Sequence, residues 1–159
     1  MRKPLVFAVL GLVCIGLGVY TRYYRRPVTS NQIPTTVIRD ANIIAQGRIP
    51  VDKQWIFAGR FKGKISVIVY GEAILYPRAG PLGPNGVNFR ATSTYPLPGE
   101  NEWCALARYN GKIVKVGGQK DFVFDTDTDL FLGPNDSSTE GAGFTDNSGS
   151  WGYQILRVN

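Results

Sequence analysis

The stretch that decides the fold is WCALARYNGKIVKVGGQKDFVFDTDTDLFL, residues 103–132, in which short apolar or alternating runs are separated by turn residues. Strands are predicted at Trp103 to Tyr109, Lys112 to Val116, Asp121 to Phe124 and Asp129 to Leu132, because each run has the length and two-residue alternation of a strand. No long stripe with a period of 3.6 residues appears. The segment therefore indicates consecutive short strands and not helices.

The same pattern continues on both sides of this stretch. Further strands are predicted at Gln54 to Phe57, Lys64 to Val69, Glu72 to Tyr76 and Ser150 to Val158. Nineteen glycines and ten prolines accompany them. We expect an all-β fold, a β-sandwich or jelly roll in which two antiparallel sheets share one core. The long loops Pro77 to Asn101 and Gly133 to Gly149 are the candidate binding site, since loops on a rigid sandwich commonly carry function.

The N-terminus has a different character. Pro4 to Tyr20 is seventeen residues long without a charge, and basic residues flank it on both sides. This pattern predicts a membrane segment within residues 1–26, either a retained transmembrane helix or a signal peptide. The retained anchor is favoured because no clear cleavage site of small residues follows the apolar run. Residues 27–50 are interpreted as a linker or stalk, and residues 51–159 as the folded domain.

Charge and composition exclude several classes of function. Five of the eighteen basic residues belong to the anchor, which leaves thirteen against twelve acidic residues in the rest of the chain. The domain is therefore close to neutral, and nucleic-acid binding is not expected. Histidine is absent, which removes the commonest general base and zinc ligand. We expect no enzyme and assign no catalytic residue.

An uneven distribution of charge points to a cation. After Lys120 come seven acidic residues and no basic one until Arg157. Asp125, Asp127 and Asp129 imitate the start of an EF-hand loop, but Leu130 stands where that loop needs glycine. An acidic turn leading into an edge strand is the favoured interpretation of these three residues.

A second acidic stretch offers a more suitable set of calcium ligands. Asp136, Asp146 and Asn147 offer two carboxylates and an amide, joined by a glycine-containing loop whose carbonyl groups can face the same ion. Calcium takes about six to eight oxygen ligands of these kinds. The alternative is that Asp and Asn here cap turns by bonding their own backbone.

These residues also carry a family resemblance. LFLGPND, residues 130–136, and DNSGSW, residues 146–151, resemble the C-terminal signature of the PA-I-type galactophilic lectins and their relatives. Those proteins are calcium-dependent jelly-roll domains of the galactose-binding-like class. GPLGPNG at 80–86, preceded by Tyr76, is similar to the family's first glycine- and proline-rich loop, and WCALAR at 103–108 is similar to its central strand.

The resemblance implies a calcium site and, less directly, a sugar site. The implied calcium ligands are the side chains of Asp136, Asp146 and Asn147, the carbonyl group of Tyr76, and a loop carbonyl assigned to Gly143. The family's galactose specificity uses a His and a Gln in the next loop, whereas residues 87–93 read VNFRATS and contain neither. Galactose recognition is therefore not carried over, although calcium can still coordinate two sugar hydroxyls. Ligand contacts are expected at Asp136, Asp146, Phe89 and Tyr95.

Together these observations favour one function and leave a second open. The favoured function is a calcium-binding, carbohydrate-binding, non-catalytic module anchored by a single pass in a bacterial membrane, with the domain on the periplasmic or extracellular side. The alternative is a structural or assembly domain, in which calcium rigidifies the loop and the partner is a protein of the cell envelope. Trp55, Trp103 and Trp151 are expected to fill the core, with sugar stacking as the alternative.

Overall fold

The computed structural model describes residues 42–158. The predicted membrane segment at 1–26 and most of the predicted stalk at 27–50 lie outside the described residues. Between residues 42 and 158, no helix has both the length and the apolar character needed to cross a membrane.

The described residues form seven β-strands and a short 3-10 helix. The strands are β1 (Ile43–Pro50), β2 (Ile56–Tyr70), β3 (Ala73–Ile74), β4 (Ala105–Tyr109), β5 (Lys112–Lys115), β6 (Gln119–Pro134) and β7 (Ser148–Arg157), and the 3-10 helix is Gly143–Asp146. The strand order is β1-β7-β2-β6-β4-β5, with β3 pairing with β7, and every pair is antiparallel. The prediction of an all-β fold is confirmed.

The strands β2 and β6 are longer than the sequence predicted. They run for 15 and 16 residues, and each joins two runs that were expected to be separate strands. Irregularities in register between Phe57 and Gly59 and between Phe61 and Gly63 allow β2 to bend without losing its partner. Gly59 has φ 142°, and a Cβ there would lie 2.6 Å from the Phe61 ring. Glycine is therefore required at the bend.

Because β2 and β6 bend, the sheet has two halves. The first part of β2 pairs with the end of β6, which also pairs with β4, whereas the second part of β2 lies between β7 and the start of β6. Side chains from both halves share one apolar core, among them Ile65, Val67, Leu130, Leu132 and Ile155. This arrangement fits a β-sandwich, in which inward-facing residues of two layers pack together.

The strand β1 differs from the prediction for residues 27–50. Ile43–Pro50 pairs with β7 along its length, and Ile49 is buried in the core. Most of the other β1 residues are half-buried or exposed, because the strand lies at one end of the sheet order and packs through few side chains. Such a strand has little alternation of apolar and polar residues, which is why the sequence resembled a linker.

Candidate functional site

The two long loops of the sequence meet where β6 ends. Asn135, the first residue after β6, is fully buried, and its backbone continues the pairing with Trp103 and Cys104. Its side chain bonds the first loop at three points, accepting from the Leu97 N–H and donating to the carbonyl groups of Leu97 and Asn101. Asn135 thus fixes the position of the next residue, Asp136. Asn135 belongs to the LFLGPND motif, but the motif alone did not predict that its side chain anchors the first loop.

Asp136 is held by three hydrogen bonds inside the protein. The residue is 5% exposed. Its Oδ1 atom accepts from Trp103 Nε1 at 3.2 Å and from the Ser137 N–H at 2.9 Å, and its Oδ2 atom accepts from Asn147 Nδ2 at 2.7 Å. Burial raises the pKa of the Asp136 carboxyl, the three hydrogen bonds oppose that rise, and the Asp146 charge adds to it.

Asn147 lies beside Asp136 and carries an unsatisfied atom. Its Nδ2 group donates to Asp136 Oδ2 and to the Val51 carbonyl, each at 2.7 Å. Its Oδ1 atom is buried and has no hydrogen-bond partner in the described structure. Because both acceptors demand the NH₂ group, the amide cannot be flipped to satisfy the oxygen instead. A buried polar atom without a partner is uncommon and calls for an explanation such as an ion or a water molecule.

Two of the remaining predicted calcium ligands, Tyr76 and Asp146, are connected indirectly with this pair. The Tyr76 ring stacks on Trp103, with centroids 5.5 Å apart, and the Tyr76 carbonyl accepts from the Ala79 N–H at 2.9 Å. Asp146 ends the 3-10 helix just before Asn147, is half-buried, and makes no side-chain hydrogen bond within residues 42–158. Tyr76 therefore reaches Asp136 through Trp103, and Asp146 acts on it through its charge.

Gly143 begins the 3-10 helix in a conformation that favours glycine. Its φ is +59°, and a Cβ atom there would lie 2.9 Å from the Ser138 carbonyl oxygen. Its N–H donates to the Glu140 carbonyl at 2.9 Å. The loop between Asp136 and Asp146 is therefore closely folded on itself at Gly143.

The predicted site contains few acidic side chains for a metal centre. Within residues 42–158 no group of three or more His, Cys, Asp and Glu side chains is arranged to hold a metal ion. The predicted calcium ligands include only two carboxylates, those of Asp136 and Asp146, with an amide and backbone carbonyls as the other donors. Calcium accepts such neutral oxygens, so the donor chemistry fits calcium better than zinc.

Further carboxylates surround the site. Burial raises the pKa of Glu102, and the charges of Glu140 and Asp136 raise it further. Burial also raises the pKa of Tyr95, with the charges of Glu102, Asp136 and Glu140 adding to the effect. These acidic groups therefore produce a shared negative potential. The sequence indicated Glu140 through the acidic run after Lys120, whereas Glu102 is distant in sequence and gave no signal for this site.

The two aromatic residues expected to contact a ligand differ in exposure. Phe89 is 43% exposed, and its carbonyl accepts from the Glu102 N–H at 2.9 Å, so the two backbones are adjacent. Tyr95 is 8% exposed, so its ring faces protein and presents little surface to a ligand. Of the two, Phe89 offers the accessible ring.

Trp103 belongs to the site through its hydrogen bond to Asp136, whereas Trp55, Trp151 and the EF-hand-like aspartates make other contacts. Trp151 is fully buried and donates to the Leu82 carbonyl at 2.9 Å. Trp55 packs against Arg108, whose guanidinium carbon lies 4.9 Å from its ring centroid. Asp125, Asp127 and Asp129 lie within β6 and not in a turn leading to an edge strand: Asp129 pairs in register with Arg60 on β2, and residues 125–127 fall in the irregularity between Phe124 and Thr128.

Comparison with known proteins identifies the fold. No family model and no curated protein matches the sequence. A solved structure described as the EclA N-terminal domain, a PllA-like lectin, superposes with a TM-score of 0.58 and 19% sequence identity, covering 74% of this chain and 99% of that chain. The fold is lectin-like. At this identity the likeness concerns the fold, and the roles of individual residues have to be argued from their own geometry.

Proposed function

We propose that this protein is a calcium-dependent carbohydrate-binding module related to the PA-I-type lectins. The observation that carries the proposal is the buried pair of Asp136 and Asn147, which leaves Asn147 Oδ1 without a partner between the two long loops of a lectin-like fold. A site that combines an ionised carboxylate with an unsatisfied amide oxygen suits a hard cation.

Calcium fits the residues present. The side chains of Asp136, Asp146 and Asn147 and the carbonyl groups of Tyr76 and Gly143 would hold the ion. Calcium supplies positive charge, which turns the repulsion between Asp136 and Asp146 into attraction, and open positions that can take sugar hydroxyls. The protein's own contribution is to fix the donors in place, through the two hydrogen bonds of the Asn147 amide and the loop contacts of Asn135.

Carbohydrate is the ligand class that the fold and the surroundings favour. The structure similar to this chain is named a lectin, and the exposed Phe89 is bonded through its backbone to Glu102. Sugars bind through hydroxyl groups to carboxylates and cations, and through their C–H faces to aromatic rings. Such binding involves no chemical step, so the proposed module is non-catalytic.

One observation favours a second function. Asp136 is almost fully buried and all its hydrogen bonds come from within the protein, so an ion bound there could serve mainly to tie the two loops together. The domain would then be a structural or assembly module, with an envelope protein as its partner.

A glycan array separates the two functions. The full-length chain in detergent is applied with calcium, and again with a chelator, beside an Asp146→Asn variant. Glycan signals that vanish both with chelator and in the variant support the lectin. Calorimetric calcium binding together with an array that stays silent contradicts carbohydrate binding and supports the structural module.

The location of the module rests on its N-terminal sequence. The uncharged run from Pro4 to Tyr20 with basic flanks is long enough to anchor the chain in a bacterial membrane. We place the domain on the periplasmic or extracellular side, where calcium and glycans are both accessible to it.

A further inference from the structure

A row of aromatic and basic side chains crosses the outer face of the sheet, away from the proposed calcium ligands. Arg108 on β4 pairs in register with Phe131 on β6, and Phe131 pairs with Phe57 on β2. The Phe57 and Phe131 ring centroids are 5.5 Å apart, and Phe57 is 58% exposed. Neighbouring positions across a sheet share a face, so these three side chains form one continuous surface.

Two aromatic rings hold the Arg108 guanidinium in place, and no acidic side chain of the described residues forms an ion pair with it. Its guanidinium carbon lies 4.8 Å from the Phe131 ring centroid and 4.9 Å from the Trp55 ring centroid. It makes no hydrogen bond or ion pair with any other residue between 42 and 158. Cation–π contacts on two rings restrict the planar guanidinium while leaving its N–H donors free. Such a group can bind a carboxylate with two parallel hydrogen bonds at a low entropic cost.

A cavity of about 430 Å³ opens beside Arg108, which is within the size range of small-molecule sites. Arg60, Arg108, Asn110, Asp127, Asp129 and Phe131 are among the residues that line it. Arg60 and Asp129 neutralise each other through hydrogen bonds of 2.6 and 3.0 Å. Asp127 makes no hydrogen bond or ion pair within the described part of the chain. Although the Asp127 charge also acts on Arg60, Arg108 and Asp127 are the charged groups of this lining that have no hydrogen-bonded partner of their own within residues 42–158.

We infer that this cavity is a second carbohydrate site, and that it binds a sugar carrying a carboxylate, such as a uronic acid. Arg108 binds the carboxylate of the sugar, the Phe131 ring packs against its C–H face, and Asp127 and Asn110 accept hydrogen bonds from its hydroxyl groups. Asp127 also makes the cavity unfavourable for a compact anion of higher charge, such as phosphate, because its carboxylate repels the additional negative charge.

This site is independent of calcium and goes beyond the function proposed above. Its polar groups Arg108, Asn110 and Asp127 lie on β4, the β4–β5 turn and the middle of β6, whereas most of the proposed calcium ligands follow the end of β6. No lining residue belongs to the proposed calcium ligands. Binding in the presence of a chelator therefore distinguishes the two sites.

The test compares ligands and variants on the full-length chain in detergent with chelator present. Binding of D-glucuronate, D-glucose and inorganic phosphate is measured by calorimetry or by ligand-observed NMR. We expect glucuronate to bind about tenfold more tightly than glucose, the effect of one charge-assisted hydrogen-bonded contact. Glucose binding as tightly as glucuronate, phosphate binding more tightly than it, or no glucuronate binding would overturn the inference.

Two variants locate the binding. Arg108→Gln should weaken glucuronate binding by about tenfold, whereas Lys112→Gln, on the same hairpin and outside the cavity lining, should leave it unchanged. Equal loss in both variants would show a diffuse charge effect and refute the assignment. If Arg108→Gln does not fold, Arg108→Lys is the alternative, because it keeps the charge without the planar guanidinium group. This variant should lose most of the preference for glucuronate over glucose. An undiminished preference in Arg108→Lys would refute the role of the guanidinium group.

Discussion

Replacing Asp136 by Asn removes a negative charge and also disturbs the hydrogen bonds that the carboxylate accepts. The Asp146→Asn substitution removes a charge alone, so comparing the two variants separates these effects. Sequence alone suggests that removing the Asp136 charge relieves repulsion from Asp146. The structure adds a cost, because Asp136 Oδ2 accepts from Asn147 Nδ2 at 2.7 Å. An NH₂ group at that position would face another NH₂ group. Orienting it the other way instead removes the acceptor for Trp103 Nε1 and the Ser137 N–H.

The magnitudes follow from these contacts. Loss of an acceptor for a buried donor costs about 1–3 kcal/mol, so the metal-free Asp136→Asn domain should unfold more easily by that amount. Asp146 makes no side-chain hydrogen bond within residues 42–158, so Asp146→Asn should leave the metal-free domain as stable as wild type or slightly more stable. Calcium at about a hundred times its dissociation constant should stabilise wild type by about 2.7 kcal/mol, or roughly 10 °C in melting temperature.

Thermal melts of the three proteins with calcium and with chelator test this reasoning, with calorimetry for calcium binding. Both variants should lose most of the calcium-dependent shift, and Asp136→Asn alone should melt lower in chelator. Wild type that melts at one temperature in both conditions and gives no calcium heat would refute the metal site. Equal metal-free stability of the two variants would refute the structural role given to Asp136 Oδ2.

Three further predictions address the loop, the acidic region and the N-terminus. Gly143→Ala should lower the free energy of unfolding by about 1 kcal/mol more than Gly141→Ala. Both glycines have φ near +58°, but a Cβ atom would contact the Ser138 carbonyl only at Gly143. Equal losses of stability in chemical denaturation would contradict this prediction. Burial and like charges raise the Glu102 pKa, so its contribution to stability is fully present below its unfolded pKa and is lost as pH rises through the folded pKa. Glu102→Gln should flatten that part of a stability–pH curve measured without calcium, and an unchanged slope would show that Glu102 is not the group responsible. The full-length chain should stay with membranes after carbonate extraction and deletion of residues 1–26 should release it, whereas a chain that washes off with salt has no anchor.

The strand segments could be predicted from sequence, but the continuation of two predicted segments as one long strand in β2 and in β6 could not. The alternating runs at Lys64 to Val69 and Asp121 to Phe124 lie in strands as expected. Gly59 and Gly63 lie between the predicted strands Gln54 to Phe57 and Lys64 to Val69, and glycine commonly ends an element. In the structure they accommodate irregular register inside one bent strand. Whether a glycine ends a strand or bends it depends on the partner strand, which local sequence does not encode.

The candidate site was predictable where its residues are close in sequence. Asp136, Asp146 and Asn147 lie within one loop, and the structure brings Asp136 and Asn147 into direct contact. Trp103 and Glu102 reach the same region from more than thirty residues away. Their roles depend on the pairing of the backbone beside Asn135 with the segment before β4. Such long-range pairing leaves no trace in the spacing of residues, and Glu100, two residues away, forms an ion pair with Lys115 instead.

The orientation of the Asn147 amide connects the stability of the domain with its proposed ability to bind a cation. Two acceptors, the Val51 carbonyl and Asp136 Oδ2, both require the NH₂ group, so the oxygen of the amide is fixed before any ion arrives. Without metal, the Asp136 carboxylate accepts three hydrogen bonds, which oppose the rise in its pKa caused by burial without cancelling it. Each carboxylate oxygen has further lone pairs, so Asp136 need not give up its bond to Asn147 to coordinate an ion. The hydrogen bonds that hold the loop together without metal would then also orient its oxygens for the proposed calcium ion, so that its binding would require little rearrangement.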